Sequence, residues 1–428
     1  MKNKRNFILY LAGRFISYIG TGVQQIALPL FILDLTHSGA LMGVFSALNL
    51  LPNLITSPFA GILGDRKDRR KIMIASDFGR GILICVLGFL AFGGKINIYI
   101  LFGCQIFISI MDSIFNSASS AIIGELLDEN ELMKAMSARG GLDAFSMVIG
   151  PALGGIIYGF FGIKVVFLIN GLSFIISGIM SALIIYVCKN HKQEKMTISL
   201  FFNENGEVLT FIKGDKGLMQ LFIFAMISNL LVAPFVDIIM PYVIKKAIGF
   251  TSQQYGYIMA TFTVGMLIGN IALGIFSKKL KTKLVMNLGL IVEAVMFLTL
   301  AIAVFPSEVK LLGGHSWILF AFLAFICLII GIFNACVNTP IGANLQKMVP
   351  NDMRSRFFSL LGIFSQGAVP LGSMVYGILL DKFQYYYILI VVVILNAVVT
   401  GRFIIRAVDE VYEPKVDEGT VFQGIKEN

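Results

Sequence analysis

The feature that most constrains this chain is a series of long apolar segments separated by short polar loops. An α-helix rises 1.5 Å per residue, so about 20 apolar residues cross the ~30 Å hydrocarbon core of a bilayer. Of the 428 residues, 57% are hydrophobic and only 14% are charged, too few polar side chains to cover a water-soluble globule. The sequence therefore predicts an all-α integral membrane protein of about 12 transmembrane helices. The predicted spans are residues 7–33, 41–63, 72–93, 98–123, 139–160, 163–188, 218–244, 253–277, 283–305, 316–340, 356–380 and 383–405.

The positions of the basic residues predict how the chain is oriented. Lysine and arginine cluster near the N-terminus and in the segments 66–71, 278–283 and 347–356, whereas the intervening loops carry few. Basic loops stay in the cytoplasm, so we expect a multi-pass protein of the cell (inner or cytoplasmic) membrane with both termini cytoplasmic. The net charge of +9 does not indicate a nucleic-acid partner, because the basic residues occupy short loops rather than one face.

The two halves of the sequence resemble each other. Gly43 aligns with Gly256 and Gly61 with Gly274, a shift of 213 residues in both cases, since 256 − 43 and 274 − 61 are equal. A parallel repeat of six spans predicts two pseudo-symmetric halves, with a solute site near the midplane between them. The predicted units are an N-terminal six-helix bundle (1–188), a cytoplasmic linker (189–217) with a surface helix over 199–213, a C-terminal six-helix bundle (218–406) and a cytoplasmic tail (407–428).

The loop after the second span carries a recognisable motif. From Gly61 to Lys71 it reads Gly-Ile-Leu-Gly-Asp-Arg-Lys-Asp-Arg-Arg-Lys. This resembles the G-x-x-x-D-R-x-G-R-R signature of the major facilitator superfamily, with Asp68 where that family usually has glycine. The resemblance covers essentially the whole chain and implies solute transport by alternating access. The alternative is a basic loop that only sets orientation.

We expect this loop to act as a gate on the cytoplasmic side. Asp65 is expected to cap a helix N-terminus or to accept from an arginine, and the basic residues are expected to contact anionic membrane lipid. The predicted gating residues are Gly61, Asp65, Arg66, Arg69 and Arg70.

The fifth span carries a second motif, similar to the G-x-x-x-G-P-x-x-G-G pattern of exporters in the superfamily, with Ser146 replacing the first glycine. Its predicted helix-bend residues are Gly150, Pro151, Gly154 and Gly155. The alternative is a generic small-residue packing face. The segment from Ala12 to Gly20 is similar to the macrolide-efflux and enterobactin-exporter branch, which often has glutamine where Arg14 stands.

Ionisable side chains inside the spans are candidates for coupling, because each costs at least ~2.5–3.5 kcal/mol at the bilayer centre. Asp237, between two prolines of the seventh span, is our first choice for proton coupling, followed by Asp143 and Asp112. A buried carboxylate can exchange a proton near neutral pH. For Asp143 a structural role is the alternative, and for Asp237 the alternative is a position at a watery cavity mouth without a role. Asp77 and Arg80 are expected to form a local pair or part of the gating loop's latch, and Glu293 is expected to have a structural or packing role.

Polar side chains in the spans are candidates for solute contact. The predicted substrate-cavity residues are Arg14, Gln24, Gln25, Asn49, Asn116, Asn229, Asn334 and Asn338. Few polar groups among apolar walls suit a bulky amphipathic compound. The alternative for each is a hydrogen bond that only joins helices. The sequence leaves open whether Arg14 pairs with Asp112, with Asp143 or with a substrate anion.

The predicted function is proton-coupled efflux of a small amphipathic compound, such as a drug or a siderophore-like metabolite, by a monomer. Uptake or flipping of a nutrient or lysolipid by the same fold is an alternative, as is a non-transporting membrane sensor. The sequence has no enzyme signature, and we expect no cofactor. The three histidines and five cysteines lack metal-ligand spacing, so we expect no metal.

Overall fold

In a computed structural model, the described residues (2–127, 129–185, 198–276, 280–350 and 353–414) form helices and no strands. The elements are α1 (Lys2–Thr36), α2 (Gly39–Arg66), α3 (Arg69–Phe92), α4 (Ile98–Leu126), α5 (Glu129–Ala182), α6 (Ile198–Gly214), α7 (Lys216–Pro234), two π-helical segments π1 (Phe235–Ile239) and π2 (Tyr242–Ala247), α8 (Ser252–Phe276), α9 (Thr282–Ala303), α10 (Pro306–Leu311), α11 (Trp317–Met348), α12 (Arg354–Lys382), α13 (Tyr385–Arg406) and a 3₁₀ turn (Asp409–Val411).

Side-chain caps explain where several helices begin. Ser38, Asn97 and Ser316 each accept a hydrogen bond from a backbone N–H in the first turn of α2, α4 and α11. Asp68 and Asp215 do the same for α3 and α7. Each cap satisfies a donor that has no partner inside the helix, so these residues end the loops and start the spans.

In the described residues, 11 helices are long and apolar enough to cross a membrane. α5 counts once among them although its path breaks at Gly162, whose φ of 70° favours glycine. The arm after the break runs antiparallel to α1, since a Cβ built on Gly13 would lie 3.3 Å from Ser177 Oγ and one on Gly20 would lie 2.2 Å from Ser173 Oγ.

The arm of α5 before Gly162 runs parallel to α1. Its Asp143 contacts Arg14, and further along both helices a Cβ on Gly154 would lie 2.5 Å from the Val23 carbonyl oxygen. α5 therefore supplies both the fifth and the sixth predicted span, and the predicted set of about twelve agrees with the structure. The backbone leaves helical geometry at Gly162 and not at Pro151, where the sequence predicted a bend.

Large apolar side chains cover the outside of the helix bundle. Phe89, Ile271 and Val398 are 60–69% exposed. Apolar surface this extensive is unfavourable in water and is the natural contact surface for lipid chains. The exposed faces thus agree with a multi-pass membrane protein.

The two halves meet along two helix pairs, α2 with α12 and α5 with α8. A Cβ on Gly43 would lie 2.3 Å from the Ser373 carbonyl oxygen, and one on Gly256 would lie 2.6 Å from the backbone carbon of Gly155. Gly43 and Gly256 are partners in the sequence repeat, so the repeat places equivalent glycines at both junctions. Because the absence of a side chain permits this approach, the backbones touch directly.

α6 confirms the helix predicted over 199–213, and it packs on the second half of the chain. Val208 and Ile212 are buried there, and Glu207 lies 3.3 Å from Arg356. Residues 186–197 and 415–428 lie outside the described residues. The bounds of the linker and of the tail therefore stay predictions.

Residues after α13 fold back against α9. Lys283 Nζ donates to Asp409 Oδ1 at 2.7 Å, and this hydrogen bond lowers the pKa of the Asp409 carboxyl below its usual range. Asn344 donates to the carbonyl oxygens of Val411 and Tyr412 from inside the bundle. The segment just beyond the last span is thus fixed to the second half.

Candidate substrate cavities and gate

A cavity of about 360 Å³ lies within the first half. It is lined by α1, α2, α3, α4 and the second arm of α5, and it contains five residues predicted from sequence for solute contact or coupling. These are Gln24, Gln25, Asn49, Asn116 and Asp112. We name this space the N cavity.

Two of the predicted amides in the N cavity are held by other amides. The Gln24 side-chain oxygen accepts from Asn170, and the Asn49 side-chain oxygen accepts from Gln105 at 3.0 Å. Hydrogen bonds between amides on different helices fix the geometry of the cavity wall. Gln24 and Asn49 therefore do join helices. They also line the cavity, so the two roles coexist.

The wall of the N cavity contains an arginine that is paired with two carboxylates. Arg80 donates to Asp77 on its own helix and to Asp112 on α4. Its guanidinium also lies 4.5 Å from the ring centroid of Phe115 and 4.2 Å from that of Phe174. The predicted Asp77–Arg80 pair is present, and the sequence missed that Asp112 shares the same arginine. A fixed cation against Asp112 leaves that carboxylate compensated.

Arg14, whose partner the sequence left open, pairs with Asp143. Its Nε and Nη2 donate to the two carboxylate oxygens at 2.7 and 2.8 Å, a bidentate geometry. Nη1 donates to Ser119 Oγ at 3.0 Å and Nη2 to Tyr18 Oη at 2.6 Å, and Tyr18 in turn donates to Asn116. Arg14 does not line the N cavity itself, but Tyr18 and Asn116 connect it to the cavity wall.

A second cavity of about 220 Å³ lies within the second half and is lined by α7, α9, α11 and α13. It holds Asn229, Asn334 and Asn338, all three of the substrate residues predicted for that half. We name this space the C cavity. Each cavity is lined by one half, whereas the sequence predicted one site between the halves.

Glu293 lines the C cavity, although the sequence favoured a packing role for it. One carboxylate oxygen, Oε1, is buried and has no hydrogen-bond partner in the described residues. The signal available in the sequence was a carboxylate placed mid-span on α9; its role stays a prediction, and the structure adds that it lies in the cavity wall.

Asp237 lies on π1, where the α-helix of the seventh span ends at Pro234. It lies near Tyr255 of α8, in the part of the chain that contacts α1, α2 and α12. It lines neither the N cavity nor the C cavity. A π-helical turn widens the backbone and frees carbonyl groups, and such turns are frequent at functional positions.

At one end of the bundle, side chains from both halves form a gate that the sequence did not reveal. Asp34, in the last turn of α1, accepts from Lys245 of π2 and from Tyr158 of α5 at 2.5 Å. Lys246 donates to the carbonyl oxygen of His37 at 2.6 Å. Asp34 and Lys245 end the first span of each half, 211 residues apart, so the repeat relates their positions but does not reveal that they are in contact.

Asp381 joins the halves at the same end. Its carboxylate accepts from the Gly39 and Ala40 N–H groups at 2.7 and 3.1 Å and from Ser38 Oγ at 2.5 Å. These groups lie at the N-terminus of α2, where the helix dipole favours a negative charge. The last turn of α12 therefore caps a helix of the other half. We name this end, with the Asp34 gate, the closed end.

The helix-bend motif packs against both halves near the closed end. A Cβ on Gly150 would lie 2.7 Å from the Gly22 Cα, and one on Gly155 would lie 2.4 Å from the Gly256 Cα. Gly150 and Gly154 thus hold α5 against α1, whereas Gly155 holds it against α8. The side chain of Pro151 lies outside the described residues.

The predicted gating loop lies at the opposite end of α2. Gly61, Asp65 and Arg66 fall in the last turns of α2, and their side chains lie outside the described residues. The cap of α3 is Asp68, which accepts from the N–H groups of Arg70 and Lys71. α2 continues through Arg66, so the turn comes later and Asp68 takes the cap position of α3. That Asp65 accepts from an arginine stays a prediction.

The two described arginines of the gating loop contact their own half. Arg69 donates to Glu125 of α4 at 2.8 Å. Arg70 donates to the carbonyl oxygens of Ser181 and Ala182, at the end of α5. Cations are favoured at helix C-termini, so these contacts tie α3, α4 and α5 together.

Comparisons with known proteins agree with this architecture. The model of the Major Facilitator Superfamily matches residues 10–236 and again residues 218–423. The chain is 24% identical to macrolide efflux protein A of Streptococcus pyogenes, over 89% of this chain and 90% of that protein. It is 22% identical to the staphyloferrin A transporter of Staphylococcus aureus, over 87% and 89%. The solved structure of the nucleoside transporter NupG superimposes with a TM-score of 0.69 at 14% identity, over 95% of this chain and 99% of that one.

Proposed function

We propose that this chain, which belongs to the Major Facilitator Superfamily of membrane transporters, exports a small amphipathic compound from the cell in exchange for protons. As a member of that family it moves small molecules through the membrane and is not an enzyme. The compound class, a drug or a siderophore-like metabolite, follows from the mixed cavity walls and from relatives that are a macrolide efflux protein and a staphyloferrin A transporter.

The observation that carries proton coupling is a contrast between the halves. In the first half, Asp77, Asp112 and Asp143 each contact an arginine. In the second half, neither Asp237 nor Glu293 forms an ion pair within the described residues. A carboxylate held among apolar spans without a cation is stable only when a proton or another cation neutralises it. Asp237, on its π-helical turn, is our proposed proton carrier.

Asp112 and Asp143 have a secondary part in this proposal. Each is compensated by an arginine, so losing or gaining a proton would first have to break that pair. A movement of α4 or α5 would break these ion pairs. We therefore assign the two carboxylates a role in responding to helix position, and not the primary role in carrying the proton.

Direction and state follow from the predicted topology. With both termini cytoplasmic, the closed end faces outward, and the arrangement is one in which a solute enters from the cytoplasm. Export then requires the closed end to open, by rocking of one half against the other at the glycine contacts. Both cavities lie within a single chain, which supports a monomer as the working unit.

Everted membrane vesicles test this proposal. An acid-inside pH gradient is imposed, and a panel of amphipathic fluorescent compounds is screened for uptake into vesicles with and without the protein. We expect gradient-dependent uptake that is lost in Asp237→Asn and retained in Asp215→Asn, which changes a helix-capping carboxylate elsewhere on the same span. Uptake indifferent to the gradient, or unchanged in Asp237→Asn, contradicts proton exchange at this residue. Movement in the opposite direction supports import by the same fold.

A further inference from the structure

The C cavity has an electrostatic character unlike that of the N cavity. Among the described residues, Glu293 is the only ionisable one that lines it, and no described lysine, arginine or histidine contributes to its wall. The Oε1 atom of that carboxylate is buried without a hydrogen-bond partner in the described residues. An ionised carboxylate left in this way is costly, because no cation among the described residues compensates it. A positively charged ligand would supply what the wall lacks.

The remaining wall suits an organic cation better than a bare metal ion. Phe224 and Phe297 contribute aromatic rings, and cations bind favourably to the faces of such rings. The asparagine amides already have partners in part, since Asn338 donates to the Asn334 side chain at 3.0 Å and Asn229 donates to the carbonyl oxygen of Ala225 at 3.0 Å. A volume of about 220 Å³ also exceeds what one metal ion with its oxygen ligands fills.

We propose that Glu293, the aromatic rings and the asparagines of the C cavity form a subsite for the positively charged amino group of the transported compound. The substrate class is then an amphipathic amine, with its apolar body outside this subsite and its ammonium against Glu293. The inference rests on the proposed transport function for its biological meaning. The binding itself requires no pH gradient.

The assignment also explains why the subsite needs a carboxylate at this depth. In the N cavity the lining carboxylate of Asp112 is already paired with Arg80, so it is not free to compensate an ammonium. Asn334 lies beside the Glu293 carboxylate, and both residues line the C cavity. The carboxylate of Glu293, which no described cation pairs with, is therefore the more favourable place for a charged amino group.

Thermal unfolding of the purified protein in detergent tests the subsite with tetraethylammonium chloride as the probe. A ligand that binds only the folded state raises the unfolding temperature in proportion to its occupancy. We expect tetraethylammonium to raise it above the value in sodium chloride of equal ionic strength. This difference should vanish in Glu293→Gln and persist in Glu410→Gln, a matched change on an exposed carboxylate of the 3₁₀ turn.

A gain-of-function variant keeps the test decisive if Glu293→Gln does not fold. Asn396→Asp adds a second carboxylate to the C cavity and should lower the tetraethylammonium concentration for half-maximal stabilisation by about tenfold, for a gain of about 1.4 kcal/mol. Equal stabilisation by sodium chloride, or an unchanged response in Glu293→Gln or Asn396→Asp, overturns the inference. Stabilisation as expected, combined with no gradient-driven uptake in vesicles, would overturn the proposed coupling and leave the subsite standing.

Discussion

The backbones of Gly155 and Gly256 are in direct contact, such that a Cβ on Gly155 would lie 2.4 Å from the Gly256 Cα. Gly155 belongs to the helix-bend motif on α5 of the first half. Gly256 lies on α8 of the second half, the helix that the sequence repeat relates to α2. The contact involves backbone atoms only. At this point no side chain of one helix inserts between side chains of the other, so no such packing locks the two helices together there. Such a junction can separate and close again as a unit, which is what alternating access requires of it.

Gly256→Ala should prevent the closed end from forming. The added methyl group would lie 2.6–2.8 Å from backbone atoms of Gly155 and Ile156, and backbone cannot move aside as a flexible side chain can. We expect the transport rate to fall by more than about tenfold. Gly274→Ala on the same helix, where a Cβ would meet no atom within 4 Å, is the control and should transport normally. Normal transport in Gly256→Ala would show that this approach is not required.

Lys245→Ala should make the closed end open more readily. The substitution leaves Asp34 with only the hydroxyl of Tyr158, so one link between the halves is lost. In a variant without the five native cysteines, Ser46→Cys reports on access, since Ser46 lies near Ser373 across the junction. We expect a hydrophilic maleimide to label this cysteine severalfold faster. Lys283→Ala, which breaks an ion pair at the other end of the bundle, should leave the labelling rate unchanged.

Arg14→Lys should impair both stability and transport although the charge is kept. A lysine cannot make the bidentate contact with Asp143 while also donating to Ser119 and Tyr18. We expect a loss of about 2 kcal/mol of stability, the size of a buried charged hydrogen bond left unmade, measured as a lower unfolding temperature in detergent. Arg139→Lys, whose guanidinium lies 3.6 Å from the same carboxylate, should have a smaller effect. Equal effects would mean that Arg14 acts only as a charge.

The sequence was sufficient for the spans and the repeat, and most of the polar residues that it predicted for solute contact line one of the two cavities. Long apolar runs, and glycines 213 residues apart, are local signals that do not depend on how helices cross. Polar residues inside a span must face protein or cavity because lipid cannot satisfy them, so Asn49, Asn116 and Asn334 were found in this way.

Contacts between side chains on different helices could not be predicted from the sequence, because they depend on how the helices cross. Asp34 and Lys245 stand at the ends of different spans, and either could have faced water. The position of Glu293 in a cavity wall was not predicted, because which face of α9 turns inward depends on its packing against α11 and α13. Asp381 caps a helix more than 340 residues away, a contact that no local pattern encodes.

The most direct test of the account is the distance between the halves at the closed end. Spin labels are placed at His37→Cys and Lys382→Cys, both exposed there, in a variant without the native cysteines, and measured by double electron–electron resonance. In mildly alkaline buffer we predict a single short distance between the two labels. On mild acidification a second population with a longer distance should appear. In Asp237→Asn the distance distribution should have one population that does not change with pH. A single distance that acidification leaves unchanged in the otherwise unmodified protein would contradict proton-driven opening of this end.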